Sequence, residues 1–299
     1  MSRQTRAITF GPAMKSTLVK SSDSHKFSHG HALVLSGPPG HGGAARMASR
    51  GALRIGAGLV TLGCPPEALA ENAGRLDAIM LIFVADGAGL AAVLTDARIN
   101  ALCLGPGLGL NARAAELLRV ALSPVHEFNL TCRKLVLDAD ALTLIARDPV
   151  LFGMLHQGCV LTPHGGEFAC LFPDIAAKLE VGAANGQAYS KQDATREAAA
   201  RAGCAVLFKG PDTVIASPDG NCAINSARNE RAAPWLATAG SGDVLAGFIT
   251  GLLARGFDPF KAACTGAWLH VECARSFGPG LIAEDLPEEL PKVFRALGI

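Results

Sequence analysis

Short apolar runs alternate with helix-length patterns through most of this chain: Ala32–Leu35 before a helix over Ala44–Ile55, Leu59–Leu62 before a short helix, Ile79–Val84, Ala101–Leu104 before Asn111–Leu122, then Leu135–Leu137 and Val160–Leu161. Strands separated by helices pair side by side in parallel, and a parallel sheet needs helices on both faces. The expected fold class is therefore α/β, with a mostly parallel central sheet. A polar-faced helix over Ala188–Ala202 follows, then a strand at Ala205–Phe208 and a hairpin, Thr213–Ser217 with Asn221–Asn225, turning through Pro218-Asp219-Gly220. Helices at Val244–Ala254, Pro259–Phe277 and Leu286–Leu297 close the chain. No fixed-period repeat and no Pro-, Gly- or Ser-rich linker divides it, so the expectation is a single domain over 25–299 behind a leader or linker over 1–24. The start of that leader carries Arg3, Arg6, Lys15 and Lys20 with no acid, but no amphipathic pattern of the kind a transit peptide shows.

Of the 299 residues, 49% are hydrophobic and 18% charged, which is enough apolar surface for a substantial core. Lys+Arg 27 against Asp+Glu 26 leaves a net charge of +1 without runs of one sign, so neither nucleic acid nor a membrane surface is an expected partner. The nine cysteines include no C-x-x-C pair and sit mostly in apolar segments; they read as buried thiols of a reducing, cytoplasmic compartment. The longest apolar stretch, Val244 to Ala254, is too short to span a bilayer.

The chemistry concentrates in Ala239-Gly240-Ser241-Gly242-Asp243-Val244-Leu245-Ala246-Gly247. Gly240 and Gly242 let the backbone approach a ligand closely, and the first N–H groups of the following helix carry partial positive charge, so the segment suits an anion. A carboxylate there repels phosphate unless it has a chemical task, and the task that fits Asp243 is taking a proton from an attacking hydroxyl in phosphoryl transfer.

Open parallel sheets bind ligands at the carboxyl ends of their strands. Ser36-Gly37-Pro38-Pro39-Gly40-His41-Gly42-Gly43-Ala44-Ala45 and Gly105-Pro106-Gly107-Leu108-Gly109 both follow a strand and open a helix, as phosphate-cradling loops do, although each alone also reads as a tight turn. Leu161-Thr162-Pro163-His164-Gly165-Gly166-Glu167 puts His164 in a loop and Glu167 in a first helical turn. There Glu167 reads equally as a water-mediated holder of Mg²⁺ or as an acid favoured by the helix dipole, and His164 as a donor to substrate or as a surface residue. Lys209-Gly210-Pro211-Asp212-Thr213 sets a cation and a hydroxyl at a forced turn, whose bland reading is an ordinary loop. In Leu137-Asp138-Ala139-Asp140-Ala141-Leu142, two acids stand at a strand end, and Asp140 suits a helix cap.

Taken in order, these motifs resemble the NAD(P)H-hydrate dehydratase family, also called the YjeF carboxy-terminal family, of the ribokinase-like superfamily. The most specific are Gly43-Ala44-Ala45 with Arg54-Ile55-Gly56-Ala57-Gly58-Leu59-Val60-Thr61, the Gly105–Gly109 loop, Leu137–Leu142, the Thr162–Glu167 loop, Lys209-Gly210 and the Gly240–Gly247 segment, and the match runs from about His25 to the C-terminus. The resemblance implies a three-layer sandwich and a repair reaction in which ADP or ATP, with Mg²⁺, drives loss of water from (S)-NAD(P)H hydrate. It implies that Ala44, Gly107, His164 and Asp243 contact the hydrate. It further implies that Lys209, Gly210, Pro211, Asp212, Thr213 and Gly242 hold the nucleotide, that Gly240 and Gly242 stabilise the transferring group, and that Glu167 serves the metal through water. On this reading Asp243, at a helix N-terminus, is readily ionised. A homo-oligomer and a partner epimerase acting on the hydrates are also implied. The chain departs from the family pattern at Ala239 (usually Gly), Gly165 (usually Pro) and Pro211-Asp212 (usually a smaller, glycine-containing turn).

Two other functions fit parts of the same pattern. A small-molecule kinase of the superfamily uses Asp243 in the same way but releases a phosphate ester, and this sequence lacks a recognisable sugar-binding set. A silent nucleotide-binding protein has no need of Asp243, Glu167, His164 and Lys209 together.

Overall fold

The computed structural model describes residues 5–123, 133–185 and 189–299, without the side chains of 182–185. Ten strands form one sheet: β1 (Arg6–Ala7), β2 (His31–Leu35), β3 (Leu59–Cys64), β4 (Met80–Phe83), β5 (Ile99–Leu104), β6 (Lys134–Leu137), β7 (Cys159–Leu161), β8 (Ala205–Phe208), β9 (Asp212–Ala216) and β10 (Cys222–Ser226). Their order is β1-β10-β9-β8-β7-β6-β5-β2-β3-β4, and β9 alone runs antiparallel to its neighbours. The β9–β10 hairpin has the expected form, with Cys222 opposite Ala216 and Gly220 at φ +86° in the turn.

Side chains alternate across the strands and give the two faces different character. One face carries Leu33, Leu35, Leu102, Leu104, Leu135, Leu137 and Leu161, packed under the helices that connect β4 through β8. The other carries smaller residues, Ala32, Val34, Ala101, Cys103, Val136, Val160 and Ala205, under the Gly42–Arg54, Ser241–Ala254 and Pro259–Phe277 helices. Against that flatter face the Gly42–Arg54 and Ser241–Ala254 helices pack closely, for a Cβ on Gly247 would stand 2.1 Å from the Ala48 carbonyl oxygen. Both helices begin at the carboxyl ends of the strands.

The 1–24 segment departs from its reading as a leader or linker from Thr5 onward. Arg6–Ala7 pairs with β10, Pro12–Leu18 is a helix, Leu18 lies in the core, and the Arg255 guanidinium donates to the Thr17 and Leu18 carbonyls. One buried leucine and a two-residue strand are too little to leave a periodic signal. Helices at Gly87–Val93, Pro149–Gly153 and Pro173–Asn185 are likewise additions to the sequence reading. The polar-faced helix runs Lys191–Ala202 behind a Ser190 cap; Ala188, where it was expected to begin, lies outside the described residues. No described helix is long and apolar enough to cross a membrane. Seven of the eight described cysteines are buried, and Cys170 is exposed, contrary to the reading of all as buried.

Candidate active site

The carboxyl ends of β2, β5, β6, β7 and β8 stand side by side, and the motifs singled out above lie just beyond one of them or at the start of the Ser241–Ala254 helix, except Arg54–Thr61, which joins the Gly42–Arg54 helix to the amino end of β3. That helix opens on Gly240 at φ +89°, and the space a Cβ would need there is filled by Met47 and Ala283 at under 3 Å, so only glycine fits. No side chain caps this helix start. Asp243 occupies its third position. Burial is the main influence on its carboxyl, and Asp138, Asp140 and Glu167 add negative charge around it, so its pKa rises from 3.8 to about 6 although Lys209 opposes the shift. This corrects the expectation of a readily ionised group: desolvation and three carboxylates outweigh the helix dipole. The outcome is a better base near neutral pH.

Lys209 reaches this carboxylate cluster from the end of β8. Its Nζ donates to Asp138 Oδ1 at 2.8 Å, lies 3.7 Å from Glu167 Oε2, and stands 3.5 Å from where a Cβ on Gly242 would be. Burial pulls its pKa down, but Asp138 and then Glu167 and Asp243 push harder, and the net shift is upward. Asp138 is 1% exposed, and the same Oδ1 also accepts from the Thr162 hydroxyl at 2.8 Å.

Beside Lys209 and Gly242 opens a cavity of about 350 Å³, lined by Gly210, Pro211, Thr213, Ala233, Pro234 and Leu245 among others, with Asn225 and His270 at its wall. Asn225 is fixed there by donating to the Ala267 carbonyl and accepting from Arg231. Burial lowers the His270 pKa to about 4, so the ring is neutral and its Nε2–H donates to the Ser241 carbonyl at 2.9 Å. The wall is mostly apolar with a few fixed polar groups, as small-molecule sites are. Asp212 does not line it; that carboxylate accepts from Arg228 Nε at 2.8 Å.

Ala44 and Gly107 meet on the opposite side of the strand ends. The two glycine loops interlock, since a Cβ on Gly107 would stand 2.4 Å from the His41 carbonyl oxygen and 3.5 Å from the Ala44 methyl. Asp140 braces this pair. It caps no helix, contrary to the sequence reading; Ala139 precedes the helix at φ +46°, and Asp140 Oδ2 instead accepts the Gly109 N–H at 2.8 Å.

His164 and Glu167 form a reciprocal cap on the Gly165–Leu171 helix: His164 Nδ1 accepts from the Gly166 and Glu167 N–H groups, and Glu167 Oε2 accepts the His164 N–H at 2.8 Å. With Nδ1 accepting, a neutral ring carries its proton on Nε2, which is the tautomer a hydrogen-bond donor to substrate requires. That Nε2, on an exposed side chain, lies 3.4 Å from Glu167 Oε1. Gly165, at the first helical position, has open space where a Cβ would sit, and His164 ahead of it is extended at ψ 177°. Gly165→Pro is thus expected to raise stability by about 0.5–1 kcal/mol by restricting the unfolded chain, measured as a rise in Tm; a fall would show that the loop needs glycine's freedom.

The strand-end motifs thus come together as expected, in two groups around Asp243. Sequence reasoning missed Asn225 and His270, which no motif marks because they sit on a hairpin strand and mid-helix, and it left Asp138 undecided, although a carboxylate ending an apolar strand run was visible.

A mostly parallel sheet with one reversed strand and helices on both faces is the ribokinase-like fold. Within that class the chain belongs to the NAD(P)H-hydrate dehydratase family, whose profile matches residues 32–293. It is 35% identical over 291 residues to the bifunctional NAD(P)H-hydrate repair enzyme Nnr of Moorella thermoacetica, covering 93% of this chain and 52% of that protein. It is 38% identical over 256 residues to the ADP-dependent (S)-NAD(P)H-hydrate dehydratase of Neisseria meningitidis, covering 84% and 78% of the two. The ADP/ATP-dependent NAD(P)H-hydrate dehydratase of Bacillus subtilis, crystallised with ATP and Mg²⁺, superposes with a TM-score of 0.73 over 99% of each chain at 27% identity. The chain spans about half the length of the bifunctional relatives it matches.

Proposed function

We propose that this chain is a hydro-lyase of cofactor repair, using ADP by preference, or ATP, to drive water from (S)-NAD(P)H hydrate. The observation that carries the reading is the placement of a proton-hungry Asp243 beside Lys209 and an uncapped helix start, at the mouth of a cavity able to hold an adenosine. Family membership supplies the substrate class.

Hydroxide is a poor leaving group, and phosphorylation removes that obstacle. The ring hydroxyl of the hydrate gives its proton to Asp243 and attacks the terminal phosphoryl, the bond to the nucleotide breaks, and AMP (from ADP) or ADP (from ATP) departs. The adjacent ring nitrogen then expels phosphate as a ring proton leaves and the double bond re-forms. N–H groups at Gly240 to Gly242 and the Lys209 ammonium bear on the oxygens of the transferring group. Ala44, Gly107 and His164 hold the hydrate, while the Lys209–Thr213 turn and Gly242 hold the nucleotide, Asp212 acting through its backbone.

Among the described residues no three His, Cys, Asp or Glu side chains are arranged to hold a metal. Asp140 and Glu167 share one shallow pocket and offer the hard oxygen donors that would suit Mg²⁺. Glu167, already anchored by the His164 N–H, is the proposed contact through water; when bound, Mg²⁺ supplies neutralisation of phosphate charge. A homo-oligomer, a cytoplasmic location and an epimerase partner, fused or separate, complete the proposal.

The test mixes purified protein with Mg²⁺, hydrated NADH and either ADP or ATP and follows the reduced-nicotinamide absorbance. Nucleotide-dependent recovery is expected. A stable phosphate ester without recovery would overturn the dehydratase reading in favour of a kinase.

A further inference from the structure

Lys191 belongs to no motif, yet its half-buried side chain reaches behind the Lys209–Asp212 turn. Its Nζ donates to two main-chain carbonyls of that turn, Lys209 O at 2.9 Å and Asp212 O at 2.7 Å, and sits 4.2 Å from the centroid of the Phe208 ring. Gly210, between them, holds φ +151°, and a Cβ there would stand 2.8 Å from Lys191 Nζ. The ammonium thus bridges both ends of the turn and fills the space inside it.

We infer that Lys191 is a positioning residue for nucleotide, its charge holding the Lys209–Asp212 turn in the shape that presents Lys209 and Gly210 to the cavity. The inference rests on the nucleotide reading of that cavity. Across a planar trans peptide, the N–H of one residue points opposite to the carbonyl of the residue before it. With the Lys209 carbonyl drawn to Lys191, the Gly210 N–H faces away from the ammonium, while Gly210 itself lines the cavity. The Lys209 main chain is held on its other side by its N–H, which donates to the Pro163 carbonyl at 2.8 Å, so both faces of the residue that carries the site's cation are fixed. A neutral side chain at 191 leaves the Lys209 and Asp212 carbonyls without that donor, and the turn then rests on the Thr213 hydroxyl to the Gly210 carbonyl and the Ala227 N–H to the Pro211 carbonyl.

The charged groups facing Lys191 are the Asp212 carboxylate on β9 and the Arg228 guanidinium beyond β10. Burial is the larger influence and lowers its pKa to about 8. The cation is therefore lost as pH rises through about 8, whereas an arginine in its place stays charged.

The experiment is calorimetric titration of MgADP and MgATP into the wild type, Lys191→Met and Lys191→Arg at pH 7, with Tm recorded for each and KM and kcat measured where turnover is seen. Lys191→Met is expected to weaken nucleotide binding tenfold or more and to raise the nucleotide KM by a larger factor than it lowers kcat. Lys191→Arg is expected to bind within threefold of wild type. Unchanged nucleotide affinity in Lys191→Met, with or without a lower Tm, overturns the inference and leaves Lys191 a structural residue. If Lys191→Met does not fold, wild type and Lys191→Arg titrated between pH 7 and 9 decide the matter: affinity falls through about pH 8 in wild type alone, and a parallel fall in both is the contrary result. A wild type that binds neither nucleotide overturns the reading of the cavity, and this inference with it.

Discussion

Asp243→Asn is expected to lower turnover by about a hundredfold or more while leaving nucleotide binding largely intact, because it removes the base and keeps the shape. The same substitution is expected to make the protein more stable. With the carboxyl raised from 3.8 to about 6, the folded protein binds this proton more tightly than the unfolded chain does. Stability therefore falls as pH rises from about 4 to about 6, and the full cost of the folded-state charge is present at pH 7. At about 1.4 kcal/mol for each tenfold, that cost is about 2–3 kcal/mol, which asparagine relieves. The wild-type rate is expected to rise with pH through about 6 as Asp243 ionises, with the limb moved upward by the negative charge of bound nucleotide. Unchanged turnover in Asp243→Asn would reduce Asp243 to a helix-start acid; lost turnover with lower stability would mean that its charge holds the fold.

Lys209→Met is expected to cost about 3–5 kcal/mol in a urea unfolding measurement, because it strands a nearly buried charge on Asp138. Nucleotide-dependent turnover falls with it. Adding Asp138→Asn is expected to recover most of the stability and none of the turnover, since a neutral amide no longer needs the cation but does nothing for phosphate. The double variant carries the argument: if it is as unstable as the single one, Lys209 contributes packing by its stem and the ion pair is incidental. Because the Lys209 pKa lies above its ordinary 10.5, its contribution is complete below that value and is lost only as pH rises through the folded-state pKa. No pH dependence from this pair is expected between 6 and 9.

The helix-start glycines, the strand-end loops and the reversed hairpin could be placed from residue pattern because each is a local requirement. A turn with positive φ asks for glycine, as at Gly220 and Gly240, and a strand buried on both faces reads as an apolar run. The N-terminal strand and helix were illegible for the converse reason: what orders Arg6–Ala7 is an edge of β10 more than 200 residues away, and what orders Thr17 and Leu18 is Arg255. Asp140 shows how a local rule misleads. An acid before a helix suits a cap, but the Gly109 N–H lies within reach and takes the carboxylate instead.

Sequence alone determined the α/β class, the family and the residues gathered at the strand ends, since periodicity, glycine turns and motif order are written along the chain. Tertiary structure decided how those residues behave. Whether Asp243 holds its proton depends on burial and on three carboxylates from the segments after β6 and β7, the orientation of Lys209 on Asp138 and Thr162, and the shape of the nucleotide turn on Lys191 behind it. Proton affinity, charge pairing and loop shape are set by dielectric and by neighbours brought together across the sheet, and neither is carried by the order of residues along the chain.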